Sequence, residues 1–403
     1  MLRLFETGIR LSLFIYENFF TSQIFYVFPT IHINPNSLLI FFPFSPILAP
    51  HPATSPVDGN RSIAWYPGPP LRCAPPDFGC KIAVTLCFGQ NGFNVSGFRQ
   101  LHRSTVNAPE GRVVRLDDIL LRYYTNSTKP TSMFKIKDAK QLLAEPTFNV
   151  TMPTLVYAHG YVELTTDKSV EEIVKAYITK GGYNIVVADW SNLAFGNYLL
   201  VALDVGATGK TIGKAIIQLL KGGLLLDGLH FVGHSLGCHV MSAAARALLE
   251  EEYRLPRLTG LDPAFPGFAY PLLLGQPMTS SDAAFVDVIH TDGGTFGTPV
   301  NSGHADFWPN QGQARQPGCQ ATVPLSDDGF CSHWRSWALW TESVLGGEFL
   351  ARRCQNYDNF IRGLCKDSPL VYMGLRATPN LRGNFYLHTA ATEPFALGER
   401  GAD

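Results

Sequence analysis

The pentapeptide Gly233-His234-Ser235-Leu236-Gly237 sets a serine between two glycines. A serine hydroxyl is a weak nucleophile until a base removes its proton. A G-x-S-x-G segment between a strand and a helix lifts the hydroxyl above a sheet edge, where a base can reach it. The flanks supply that context. The apolar run 229–232 precedes the turn and the helix-like stretch 236–253 follows it. The glycines are needed because the sharp turn brings neighbouring backbones close. The following helix offers the positive end of its dipole and a free N–H from Leu236. The chemistry this implies is nucleophilic attack on a carbonyl.

The hydroxyl needs partners. His234 is adjacent, but neighbours across a tight turn point apart, so it reads as a packing residue. His239 lies one helical turn on and reads as a satisfied helical histidine. An acid and then a base are expected further along, in the order serine, acid, histidine that an α/β-hydrolase fold uses. Asp262 ends the apolar run 258–261, and Pro263 stops that strand from continuing. Taken alone, Asp262 is better read as a turn-starting Asp-Pro. Asp287 and Asp292 flank the next strand and are rival acids. The candidate bases are His290, His304, His333 and His388. His333 follows Cys331 by two residues, and a loop clipped by that cysteine would hold the imidazole in place. His290 ends a strand, and His304 lies in a glycine-containing loop.

Positioning such groups requires a sheet with its strand ends aligned. Short apolar runs at 154–157, 184–188, 229–232, 258–261 and 285–289 read as buried strands. Stretches 169–180, 208–221 and 236–253 between them read as helices, with Ile173, Ala176 and Tyr177, and Ile216, Leu219 and Leu220, at helical spacing. Apolar strands alternating with helices predict a mostly parallel sheet with helices on both faces. In such sheets the functional groups gather at the carboxyl ends of strands. Residues 291–403 are rich in turns and aromatics, with no clear second period.

Composition excludes several classes. Hydrophobic residues make up 46% and charged residues 16% of the 403, which excludes a disordered chain. Lys and Arg number 32 against 33 Asp and Glu, with no polybasic tail, so nucleic acid is not an expected partner. None of the eight cysteines forms a C-x-x-C pattern, which argues against zinc. Cys319 with Cys331 and Cys354 with Cys365 read as short disulfide-closed loops, and these imply an oxidising compartment. Sequons at Asn60, Asn94, Asn126 and Asn149 add weak support for secretion. Cys238 reads as a buried thiol, while Cys73, Cys80 and Cys87 suggest no pairing. Residues 1–50 read as an unusual apolar leader or signal-like segment. Residues 18–50 lack Asp, Glu, Lys and Arg, but Pro29, Pro35, Pro43 and Pro46 would break a single membrane span. Residues 51–109 read as a Pro-rich linker and N-terminal extension, 110–395 as the catalytic domain and 396–403 as a tail.

Several ordered motifs together resemble the pancreatic lipase family, in its insect neutral lipase and phospholipase A1 branch. They are residues 233–237, Leu258-Thr259-Gly260-Leu261-Asp262-Pro263-Ala264, residues 285–292, His304-Ala305-Asp306-Phe307-Trp308-Pro309-Asn310 and Cys331-Ser332-His333-Trp334-Arg335-Ser336. The resemblance spans roughly residues 110–395. It implies a triad of Ser235, Asp262 and His333. It matches Tyr157-Ala158-His159-Gly160-Tyr161 to a strand-ending H-G-aromatic, so that the backbone N–H groups of Tyr161 and Leu236 form the oxyanion hole, with His159 as structural support. The activity implied is cofactor-free hydrolysis of glycerolipid esters at a micelle or membrane surface.

The departures from the family pattern carry expectations of their own. Cys319 and Cys331 match the cysteines that clip the family's lid, here only residues 320–330 long. The loop 292–303 is also short, a combination that in the family goes with phospholipase A1 or broad acyl-ester activity. Val323, Leu325 and Phe330 are positioned to touch lipid, although Asp327 and Asp328 would resist insertion. The segment 275–281 lacks carboxylates and only Asp282 fits the family's calcium loop, so metal is not expected. With the chain ending near residue 403, no C-terminal lipid-binding sandwich and no colipase partner are expected. The rival readings are a catalytically silent lipid-binding or storage protein on the same fold, and an esterase tethered through residues 18–49.

Overall fold

The central strands are apolar on alternate sides, and each side meets its own layer of helices. The computed structural model describes residues 11–13, 27–29, 115–269, 272–320 and 327–403. The strands are β1 (Leu11–Leu13), β2 (Val27–Pro29), β3 (Leu120–Tyr124), β4 (Ser132–Lys135), β5 (Thr154–Ala158), β6 (Asn184–Asp189), β7 (Leu229–His234), β8 (Arg257–Leu261), β9 (Phe268–Ala269), β10 (Leu272–Leu273), β11 (Phe285–Ile289), β12 (Ala305–Pro309), β13 (Leu350–Arg353), β14 (Leu370–Tyr372) and β15 (Gly383–Leu387). The helices are α1 (Lys168–Lys180), α2 (Ser191–Ala194), α3 (Tyr198–Lys221), α4 (Leu236–Glu250), α5 (Asp327–Val344) and α6 (Tyr357–Ile361).

The chain divides into two units, Met1–Leu71 and Arg72–Asp403. In the first, β1 and β2 pair antiparallel. The remainder of the leader-like segment and the linker read from the sequence lie outside the described residues.

In the second unit, eleven strands form one sheet in the order β14-β13-β15-β12-β11-β8-β7-β5-β6-β3-β4. From β15 to β6 neighbours run parallel. At the two ends, β3, β4, β13 and β14 pair antiparallel. Parallel neighbours need crossover connections, and the helices supply most of them. Val156, Ala158, Val186, Phe231, Val286 and Val288 pack with Ile212 and Ile216 of α3 and with Val240 and Met241 of α4. The alternate residues Leu155, Tyr157, Ile185, Val187, Val232, Phe285 and Ile289 pack with Ile173 and Tyr177 of α1 and with Leu339 and Trp340 of α5. The fold is the α/β class predicted, an α/β-hydrolase sheet with helices on both faces.

The five predicted strands all form, some a residue or two longer than expected. Helix α3 begins at Tyr198 rather than at residue 208. The apolar run through Val205 extends it backwards, and the Asn197 side chain accepts the Leu199 N–H as its N-cap. The stretch after residue 291, which has no clear period in the sequence, contains β12 to β15 and α5. Its strands are short, and two of them form the antiparallel sheet edge. Among the described residues no helix is long and apolar enough to cross a membrane.

The register decides what meets at the site. Ala158 pairs with Gly233, His234 with Leu261, and Leu261 with Ile289. The carboxyl ends of β5, β7, β8 and β11 are therefore level. The next residues, His159, Ser235, Asp262 and His290, emerge from one edge.

Candidate active site

Ser235 has φ 55° and ψ −122°, between β7 and α4. A non-glycine residue in such a region costs about 1–3 kcal/mol and persists only where its surroundings enforce it. Here the Ser235 N–H donates to the Leu261 carbonyl at 3.0 Å. The Ser235 carbonyl accepts from the N–H groups of Cys238 and Ala264 at 3.1 and 3.2 Å. The two flanking glycines are dictated by close approach. A Cβ on Gly233 would lie 2.4 Å from the Gly237 carbonyl oxygen, and one on Gly237 would lie 2.2 Å from that of Ala158.

Asp262 follows β8 and is buried. Its N–H donates to the Ile289 carbonyl at 2.8 Å, which ties it to the neighbouring strand end. Its Oδ1 accepts from the N–H groups of Thr291 and Asp292 at 2.8 and 3.1 Å. Its Oδ2 lies 2.6 Å from His333 Nδ1. A carboxylate there requires Nδ1 to carry the hydrogen, which leaves Nε2 as the acceptor.

His333 lies on α5, which corrects the loop expected around it. The segment that carries it is helical because Trp337, Leu339, Trp340 and Val344 bury one face against the sheet. The Cys319–Cys331 disulfide ties the first turns of that helix to the preceding segment. Burial lowers the His333 pKa below its ordinary value, against the opposing hydrogen bond and charge of Asp262. The ring is therefore neutral near pH 7.

Asp287 and the other candidate histidines are engaged elsewhere. Arg257 grips Asp287 through two hydrogen bonds of 2.9 and 2.8 Å, and the Thr259 hydroxyl donates to it at 2.8 Å. His290 Nε2 meets Asp306 at 2.9 Å while its ring stacks on Trp308. His304 Nδ1 accepts the Val286 N–H at 3.0 Å. His388 packs against Phe360 and Tyr357. His239 accepts the Met278 N–H and donates to the Ala264 carbonyl, with its ring stacked on Phe268.

The loop after β5 runs beside the serine. A Cβ on Gly160 would lie 3.0 Å from Ser235 Cβ. The Trp190 indole donates to the His159 carbonyl at 2.9 Å, and the Val162 N–H donates to the Ala194 carbonyl at 3.0 Å. The Tyr161 hydroxyl donates to the Gly196 carbonyl. His159 Nε2 sits 3.1 Å from the Ser191 hydroxyl. These bonds hold in place the backbone that carries the Tyr161 N–H. Leu236 is the first residue of α4 and is buried.

Sequence reasoning missed two residues here. Glu163 is buried, and its Oε2 accepts the Gly160 N–H at 2.5 Å. Its two oxygens lie 3.2 and 3.3 Å from His234 Nδ1. Burial pushes the Glu163 carboxyl up, but the charge and hydrogen bond of His234, the charge of His159 and the Gly160 amide together bring it down to about 2. His234 is thus more than packing, and its ring centroid lies 4.8 Å from that of His333. Phe296 is the second missed residue. It stacks on Phe330 at 4.5 Å and lies 5.8 Å from the His333 ring. Neither residue stands out in the sequence, beyond Glu163 following His159-Gly160-Tyr161 closely.

Both expected disulfides form, and Cys238 is a buried free thiol. Cys73, Cys80, Cys87, Val323 and Leu325 lie outside the described residues. Asp282, the acid weighed for calcium, instead meets Arg246 at 3.0 Å and the Thr279 N–H at 2.8 Å. Among the described residues, Asp262, Asp292 and His333 bring ligand-type atoms within 4.8 Å of one another. The Asp262–His333 hydrogen bond already occupies that centre.

Residues 84–395 match the family model described as Lipase. Lipase member H of Xenopus tropicalis is 32% identical over 227 residues, 54% of this chain and 47% of the relative. Pancreatic lipase-related protein 2 of Homo sapiens is 30% identical over 280 residues, 63% of this chain and 58% of the relative. Phospholipase A1 member A of Rattus norvegicus is 30% identical over 223 residues, 55% of this chain and 48% of the relative. The chain spans about half the length of the curated relatives it matches. With the family model covering most of its length, the chain belongs to the pancreatic lipase family.

Proposed function

We propose that this chain is a secreted serine esterase that hydrolyses acyl ester bonds of glycerolipids. The observation that carries the reading is the 2.6 Å Asp262–His333 contact at the strand edge where Ser235 is held in its strained turn. In this reading His333 Nε2 takes the Ser235 proton as Oγ attacks the ester carbonyl. Asp262 keeps the proton on Nδ1 and stabilises the imidazolium that forms. The backbone N–H groups of Tyr161 and Leu236 hold the tetrahedral oxyanion, and each such donor contributes about 3–4 kcal/mol. The imidazolium returns its proton to the leaving alcohol, and the acyl group stays on Oγ. Water then attacks the acyl-enzyme with His333 again as base, which frees the fatty acid and restores the serine.

With only residues 320–330 between Cys319 and Cys331, a short lid would admit a polar head group, which favours phospholipid as well as triglyceride. Two disulfides support an oxidising, extracellular location. The test is fatty acid release from phosphatidylcholine micelles and from short-chain triglyceride, with wild type beside Ser235→Ala. Release that the variant abolishes bears the reading out, and the preferred substrate separates phospholipase from triglyceride lipase. No release above the variant, from folded protein on both lipids, overturns it in favour of a silent lipid-binding protein.

A further inference from the structure

Resting on that reading, we propose that Glu163 is a positioning residue for the reaction. Its buried carboxylate clamps the turn that carries the Tyr161 N–H and supplies a second fixed negative charge behind the His333 imidazole. Three observations converge on it. The carboxylate accepts the N–H of Gly160, the residue before Tyr161, so it fixes one end of the oxyanion segment. It also accepts from His234 Nδ1, and His234 is the residue before Ser235. One side chain therefore joins the two backbone segments that must be mutually placed for attack, and Gly160 already lies against Ser235. Finally, the His234 ring stands 4.8 Å from the His333 ring, so the anion bound to His234 acts on the base through one intervening imidazole.

The charge matters because His333 is buried. A buried imidazole resists protonation, yet the reaction requires it to become an imidazolium transiently. Asp262 supplies the direct counter-charge, the charge of His234 opposes it, and Glu163 adds a more distant counter-charge with the same sign of effect as Asp262. The other charged or titratable groups facing this cluster are Asp292 at the carboxyl end of β11, His234 at the end of β7, and His159 and Asp167, which flank Glu163. Glu163 touches neither reacting atom and acts through Gly160 and His234.

The test is Glu163→Gln in the full chain. Histidine NMR follows His333 through a pH titration, with its signal assigned by loss in His333→Gln. This readout needs no turnover, so it stays informative even if the lipids tried are not substrates. The expected result is a His333 midpoint lower by about one unit and a kcat about tenfold lower, with KM little changed. Glu163→Asp keeps the charge on a shorter arm. It is expected to keep the wild-type midpoint within about 0.3 units while kcat still falls, because the span from Gly160 to His234 is lost. An unchanged His333 midpoint in folded Glu163→Gln overturns the charge role. An unchanged kcat in Glu163→Asp overturns the clamp, and this variant carries the test alone if the Gln variant does not fold.

Discussion

The two halves of the site are held by different means. Ser235, Asp262 and the Gly160–Tyr161 turn all issue from one edge of a parallel sheet, and strand register sets their mutual positions. His333 comes from α5, outside the sheet, and meets Asp262 at 2.6 Å. Its position depends on the buried face of α5, on the Cys319–Cys331 tie and on the Phe330–Phe296 stack that runs up to its ring. Ser235 and Asp262 are tied by their own N–H groups to the neighbouring strand ends, through the Leu261 and Ile289 carbonyls. His333 instead depends on the packing of one helix.

The largest expected effect lies at the junction of the two halves. Asp262→Asn would still accept the Thr291 and Asp292 amides through its oxygen. Its NH2 would then face His333 Nδ1, so the hydrogen moves to Nε2 and the ring cannot take the serine proton. We expect kcat to fall by about 10³–10⁴ with little loss of thermal stability, measured by initial rates and a melting curve. A variant that keeps near wild-type kcat would mean that the edge does not direct the base.

An intermediate effect should separate the two disulfides. Each closes a loop of similar length, so removing either pair should cost about 2–3 kcal/mol by chain entropy. Only Cys319→Ser with Cys331→Ser should also lower kcat, because only that bond anchors the helix bearing His333. Cys354→Ser with Cys365→Ser should destabilise without changing kcat. Equal losses of activity in the two double variants, with both folded at assay temperature, would remove the distinction drawn between the halves.

The smallest effect is in pH. Burial holds His333 below its ordinary value of 6.5. The acid limb of kcat/KM should therefore have its midpoint below 6.5, and activity should rise with pH through that limb. The same group makes stability increase with pH between its folded value and 6.5, because the unfolded chain binds more protons in that window. Glu163 has a lowered value, so its contribution is complete above about 4.5 and fades as pH falls toward about 2. An acid limb at or above 6.5 would show that the base is better solvated than its burial implies.

Much of this was legible from local order along the chain. Strand–turn–helix punctuation around Ser235 follows from an apolar run, two glycines and a helix-forming stretch that lie side by side, so the elbow needed no tertiary information. Alternation of apolar strands and helices likewise decided the class of sheet, because only a sheet covered on both faces can bury such strands. What the chain order left open was choice among equals. Asp262, Asp287 and Asp292, and four later histidines, are alike as residue types. Only the packed structure distinguishes them, because Arg257 neutralises Asp287, Asp306 occupies His290, and Asp262 hydrogen-bonds His333. The helix beneath His333 and the link from Glu163 to His234 were equally out of reach. Glu163 and His234 are 71 positions apart in sequence, and their contact exists only because β5 and β7 are neighbours in the sheet. Local sequence determines which turns and elements form. Register and burial determine which distant polar groups must satisfy one another, and those groups make up the site.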